Sequence, residues 1–110
     1  KIGADYKPLK TGGGYDHNWV LNGSGFRKVA SAESEETGIK MEVYTDLPGI
    51  QFYSGNFLAG AKGKQGAVYG RVVYIFETQY FPDAIHKDNF ESPITKAGEV
   101  YDTTTTYRFC

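Results

Sequence analysis

Ile39-Lys40-Met41-Glu42-Val43-Tyr44-Thr45 is the stretch that decides the fold class. In an extended chain Ile39, Met41 and Val43 fall on one face and Lys40 and Glu42 on the other, the period of two expected of a half-buried strand. Asp46-Leu47-Pro48-Gly49 follows as a turn, because proline presets one backbone dihedral and glycine accepts a positive φ. Beyond the turn, Ile50-Gln51-Phe52-Tyr53 reads as a second strand. On the other side, residues 26–32 read as a third strand, ended by the acidic, polar loop of residues 33–38, a solvated hairpin tip.

The pattern holds further out. Val72-Val73-Tyr74-Ile75-Phe76 is a continuous apolar and aromatic run, so the strand from Arg71 to Gln79 is expected to be covered on both faces. Pro82 should end its regular pairing. Residues 90–98 look irregular around Pro93, and residues 103–109 are β-prone again. Glycine (14), Tyr (9) and Phe (7) are abundant, and aromatic runs alternate with Gly, Pro, Asn and Asp. No stretch of about twelve residues keeps a helical apolar period with caps at both ends. The expected class is all-β.

The 110 residues suffice for one small domain. A net charge of −1 and a pI near 6.1 provide no electrostatic footprint for nucleic acid or for an anionic membrane. No apolar run is long enough to span a bilayer as a helix. The single cysteine, Cys110, excludes an intrachain disulfide framework and a cysteine-based zinc site, and points to a reducing, cytoplasmic compartment. The glycine- and lysine-rich residues 59–70 contain no phosphate-loop or dinucleotide pattern and read as an exposed loop. The chain begins with Lys1 rather than Met, and Cys110 directly follows an apparent strand, so residues 1–110 are expected to be a portion of a longer domain.

Two clusters carry potential chemistry. Glu77 closes the apolar strand. A carboxylate held dry there would keep a proton more readily and serve as a general base; the other reading is that Glu77 marks the point where the strand emerges into water. Tyr15-Asp16-His17-Asn18-Trp19 follows three glycines and offers groups for a polyhydroxylated ligand, or else a turn in which Asp16 and Asn18 satisfy local backbone. As a metal site it is poor, because neighbours on a strand point to opposite faces. His86 reads as an exposed loop histidine. No nucleophile elbow is present. The aromatics suit stacking on a sugar face as well as a β-sandwich core.

Three segments resemble the aldose 1-epimerase family, in that family's order: Gly14-Tyr15-Asp16-His17-Asn18-Trp19-Val20-Leu21, then Pro48-Gly49-Ile50-Gln51-Phe52-Tyr53-Ser54-Gly55-Asn56-Phe57-Leu58, then Glu77-Thr78-Gln79-Tyr80-Phe81-Pro82-Asp83-Ala84. The ending, from Pro93 through Gly98-Glu99-Val100-Tyr101 to Thr105-Thr106-Tyr107-Arg108-Phe109, is similar to the family's C-terminus. The resemblance implies a large antiparallel β-sandwich, incomplete in this chain, of which residues 1–110 are the C-terminal portion. It implies an isomerase that interconverts the α and β anomers of galactose, glucose and related aldoses without metal or organic cofactor. Carried over by position, Glu77 matches the general base and Asp16 an acidic residue that binds sugar hydroxyls. Gln51 and Phe52 match residues lining the sugar pocket. The family's catalytic histidines lie upstream, and neither His17 nor His86 matches them; His86 stands where an Asn is common. The implied partners are a hexose and the N-terminal portion of the same protein. The Asp16-His17-Asn18 and Glu77-Thr78-Gln79 segments look like the branch acting on unphosphorylated sugars. The alternatives are a non-catalytic carbohydrate-binding β-sandwich module and a purely structural β-domain.

Overall fold

Lys40–Thr45 forms a central strand, flanked on both sides. The computed structural model describes residue 2, residues 13–66 and residues 74–110. It contains β1 (Asp16–Val20), β2 (Arg27–Glu33), β3 (Lys40–Thr45), β4 (Gly49–Tyr53), β5 (Ile75–Gln79) and β6 (Thr105–Phe109). The helical elements among the described residues include two single 3-10 turns, Lys64–Gly66 and Ala84–His86. The strands make two three-stranded sheets, ordered β1-β4-β5 and β2-β3-β6. Among the described residues, two antiparallel sheets with almost no helix are what an all-β, sandwich-like fold is built from; the alternation implied the all-β class and the resemblance the sandwich. No helix among the described residues is long and apolar enough to cross a membrane.

Contacts divide the chain into two units, Lys1–Trp19 with Gln51–Glu77 and Val20–Ile50 with Thr78–Cys110. In the second unit β3 runs antiparallel to both neighbours. Ala30 and Tyr107 oppose Val43, and Ala32 and Phe109 oppose Met41. Small residues on β2 and rings on β6 thus flank the same apolar positions of β3, and Val43 is 0 % exposed. The β2–β3 register slips between Lys28 and Ala30, leaving Val29 as the extra residue of a bulge. Ile39 lies before the strand and is exposed, so the apolar face begins at Met41.

The expected solvent face of β3 is not left to solvent. Glu42 is only 7 % exposed. Its Oε1 pairs with Lys28 Nζ and lies 3.6 Å from Lys40 Nζ; its Oε2 accepts from Tyr44 Oη at 2.9 Å and lies 3.6 Å from Arg108 Nη1. Long cationic stems from β2 and β6 lie over a carboxylate on the middle strand, which alternation alone cannot show. The Lys28 hydrogen bond, then that from Tyr44, hold the Glu42 carboxyl down at about 2.

The turn after β3 is tied down by polar groups. Asp46 Oδ1 accepts from the Thr103 hydroxyl and from the Thr104 N–H, and the Thr103 bond in particular keeps the Asp46 carboxyl below its ordinary value. The Arg27 guanidinium donates to the carbonyls of Asn22 at 2.8 Å and Thr45 at 3.2 Å.

β1 lies against β4. In the first unit the Ser54 N–H donates to the Tyr15 carbonyl at 3.0 Å, and in the second the Leu21 N–H donates to the Pro48 carbonyl at 3.0 Å, an antiparallel pattern. Phe52 is buried. Its ring centroid lies 5.2 Å from Tyr15, 5.8 Å from Tyr74 and 5.0 Å from Phe76.

Of the strand expected over residues 71–79, the described part forms β5 over Ile75–Gln79 and is less covered than expected. Residues 71–73 lie outside the described residues, as do residues 67–70 of the expected loop. Within β5, Glu77 is exposed and its four neighbours are half-buried. Among the described residues β5 lies at an edge of the β1-β4-β5 order. A continuous apolar run signals coverage in a complete fold and does not say which segment supplies it.

Candidate functional site: the carboxylate face of one sheet

Alternation along β1, β4 and β5 sorts their side chains onto two faces. Tyr15, Phe52 and Phe76 meet as rings on one of them. Their chain neighbours Asp16, Gln51 and Glu77 therefore belong to the other. One carboxylate, one carboxamide and a second carboxylate thus come from three adjacent strands onto a single face, with Gln51 on the middle strand.

Asp16 and Gln51 are directly joined: Gln51 Nε2 donates to Asp16 Oδ1 at 2.7 Å. That bond fixes the amide orientation, since the reversed amide would set its carbonyl against the carboxylate. Gln51 Oε1 is thereby turned away from Asp16. It is buried and, among the described residues, has no hydrogen-bond partner. A buried acceptor left in this state costs about 1–3 kcal/mol. A ligand hydroxyl is the kind of donor that satisfies it.

The remaining candidates are placed as follows. Glu77 is on the same face as Asp16 and Gln51, and it is exposed; of the two settings open to it at the strand's end, dry or emerging into water, the described residues give the second. Phe52 is not brought to this face. Its ring sits in the aromatic cluster on the opposite side, because it directly follows Gln51 in β4 and the pleat separates the two. His17 is half-buried, its Nδ1 accepts the Asp16 N–H at 3.0 Å, and its ring meets Tyr15 at 6.4 Å. His86 is exposed on a 3-10 turn, paired with Asp83 at 2.5 Å, where Asp83 takes the left-handed φ of 58°. Among the described residues, no three His, Cys, Asp or Glu side chains converge as a metal set.

Two features escaped the sequence reading. One is the orphaned Gln51 acceptor, which depends on which partner takes the amide nitrogen. The other is a concavity of about 210 Å³ in the second unit, lined by Asp46, Tyr80, Glu91 and Asp102 among others. Burial, and then the charge of Glu91, push the Tyr80 hydroxyl up. The hollow contains none of Asp16, Gln51, Phe52 or Glu77.

The aldose 1-epimerase family model matches residues 1–108. The chain is 44 % identical over 99 residues to the galactose mutarotase of Homo sapiens, and 42 % identical over 99 residues to that of Mus musculus. It is 33 % identical over 101 residues to the aldose 1-epimerase of Escherichia coli (strain K12). Each match covers 87 % of this chain and 29 % of the relative, so the chain spans under a third of the length of these curated relatives. A match running through β1, β4 and β5 together, over nearly every residue, leaves one assignment: this chain belongs to the aldose 1-epimerase family.

Proposed function

We propose that residues 1–110 are the C-terminal portion of an aldose 1-epimerase that interconverts the α and β anomers of galactose, glucose and related aldoses. In this reading the carboxylate face of the β1-β4-β5 sheet is the floor of the sugar pocket. The observation that carries it is the buried, unsatisfied Gln51 Oε1 beside an Asp16–Gln51 hydrogen bond, a donor-seeking acceptor and a carboxylate side by side. Vicinal hydroxyls of a pyranose supply donors at that spacing.

Glu77 acts as the base. It takes the proton of the anomeric hydroxyl while an acid from the rest of the protein gives one to the ring oxygen. The bond between the anomeric carbon and the ring oxygen breaks to give the open aldehyde. Rotation about the bond between C1 and C2 presents the other carbonyl face, and the ring closes with both protons returned. No electrons change hands, and no cofactor is needed. Asp16 and Gln51 hold the hydroxyls, and Phe52 contributes from behind as part of the aromatic layer under the sheet. The N-terminal portion of the protein supplies the acid and closes the pocket over Glu77. A cytoplasmic setting fits the free Cys110.

The test is polarimetry on the whole enzyme with Glu77→Gln. Losing a positioned base lowers turnover by about 100- to 10,000-fold. Near-normal turnover would remove Glu77 from the base role. The exposure of Glu77 is the observation that favours a second reading, a non-catalytic carbohydrate-binding module. That module would bind galactose, give no mutarotation above the buffer rate, and be indifferent to Glu77→Gln.

A further inference from the structure

Behind the Asp16–Gln51 pair lies a buried polar knot that the proposed chemistry does not use. Ser54 is 2 % exposed and Asn56 7 %. Ser54 Oγ accepts the Tyr15 N–H at 2.8 Å and donates to Asn56 Oδ1 at 2.7 Å. Asn56 Nδ2 donates to the Tyr15 carbonyl at 3.0 Å, and the Ser54 N–H reaches the same carbonyl at 3.0 Å. Both backbone polar groups of the residue preceding Asp16 are thus held by side chains following β4. A slip of one residue would present Ser54 and Asn56 with a neighbour whose backbone N–H and C=O point away from β4.

Gly14 closes the knot from the other side. It is buried, and a Cβ there would stand 2.0 Å from Asn56 Oδ1 and 2.6 Å from Ser54 Oγ. The start of β1 therefore packs flush on the two side chains. A slip of one residue between β1 and β4 would turn Asp16 onto the aromatic face and part it from Gln51. The knot blocks that slip at the residue next to Asp16.

We infer that Ser54 and Asn56 are positioning residues: they set the register of β1 on β4, and through it the Asp16 carboxylate that binds sugar hydroxyls. The inference rests on the sugar-site reading above and deepens it by naming what orients Asp16. Neither residue touches the sugar.

A double-mutant cycle on the whole enzyme tests it, with galactose mutarotation followed by polarimetry and folding followed by thermal melting. Asp16→Ala and Asn56→Ala should each raise KM about tenfold with kcat within about twofold, the pattern of lost uniform binding. Combined, they should give about the same tenfold rise, because Asn56 acts through a carboxylate that is already gone. If Asn56→Ala shows no melting transition, Ser54→Ala carries the same cycle, since it deletes one oxygen and leaves the Asn56–Tyr15 bond in place. A combined rise near a hundredfold, the product of independent effects, overturns the positioning role while leaving the sugar site intact. A wild-type KM in Asn56→Ala or Ser54→Ala overturns it as well. An unchanged KM in Asp16→Ala alone overturns the sugar-site reading and this inference with it.

Discussion

Glu42 and Gln51 are both polar residues on middle strands, and their surroundings differ in a way that separates structure from function. Glu42 is saturated: Lys28, Lys40, Arg108 and Tyr44 all converge on its two oxygens. Gln51 has one end satisfied by Asp16 and, among the described residues, the other end empty-handed. The saturated group is a structural ion-pair centre; the unsatisfied one is the acceptor that the proposed sugar site would supply with a donor. For Glu42 the folded carboxyl sits at about 2 against an ordinary 4.5. Its stabilising contribution is therefore complete above pH 4.5 and is lost as pH falls from there toward 2, because the unfolded chain takes up the proton first. Glu42→Gln should lower the melting temperature at pH 7 and flatten the acid limb of melting temperature against pH between those values. An acid limb unchanged by the substitution would show that the cluster does not contribute. Residue types were legible in the sequence here and partners were not: the Lys40 and Glu42 side of the strand was readable as polar, but its burial depends on Lys28 and Arg108 arriving from β2 and β6.

At the level of elements, the alternation in residues 39–45 placed β3 and its turn almost to the residue, since period-two patterning and a Pro-Gly turn are local signals. Coverage is not local. The apolar run into β5 implied two covered faces, yet among the described residues β5 is an edge strand and Glu77 is exposed. Phe52 likewise carried a pocket-lining role by resemblance, whereas the pleat puts its ring with Tyr15, Tyr74 and Phe76. A close approach at the start of β1 is at Gly14, whose missing side chain leaves room for Asn56 and Ser54. Both of those are buried and hydrogen-bonded, so they cannot swing aside without leaving polar groups unpaired. Gly14→Ala should therefore destabilise the fold by about 1–3 kcal/mol, the usual cost of overpacking, measured as a lower urea midpoint at unchanged slope. A midpoint equal to wild type would mean that the strand start is loosely packed.

On the scale of the whole molecule, the described residues leave large apolar side chains in the open: Phe57, Val20 and Phe109 are exposed, and Val100 is 88 % exposed. An apolar inventory of this kind asks for cover. The proposal that these 110 residues are one portion of a longer sandwich accounts for it, as does a match that spans 29 % of the relatives. In that proposal the same longer chain would supply the walls over Glu77 that a base held dry requires. The family was legible because three long segments appear in order; the site was legible only as residue types, because the Asp16–Gln51 bond and the orphaned acceptor arise from pairing two strands far apart in sequence.

A crystal structure of the whole enzyme with galactose bound bears most directly on the sugar face. The pyranose should lie on the Asp16, Gln51 and Glu77 side of the β1-β4-β5 sheet, with one sugar hydroxyl about 3 Å from Gln51 Oε1 and the anomeric hydroxyl within hydrogen-bond reach of Glu77. Galactose seated elsewhere, with Gln51 Oε1 still unsatisfied and Glu77 in open solvent, would contradict it.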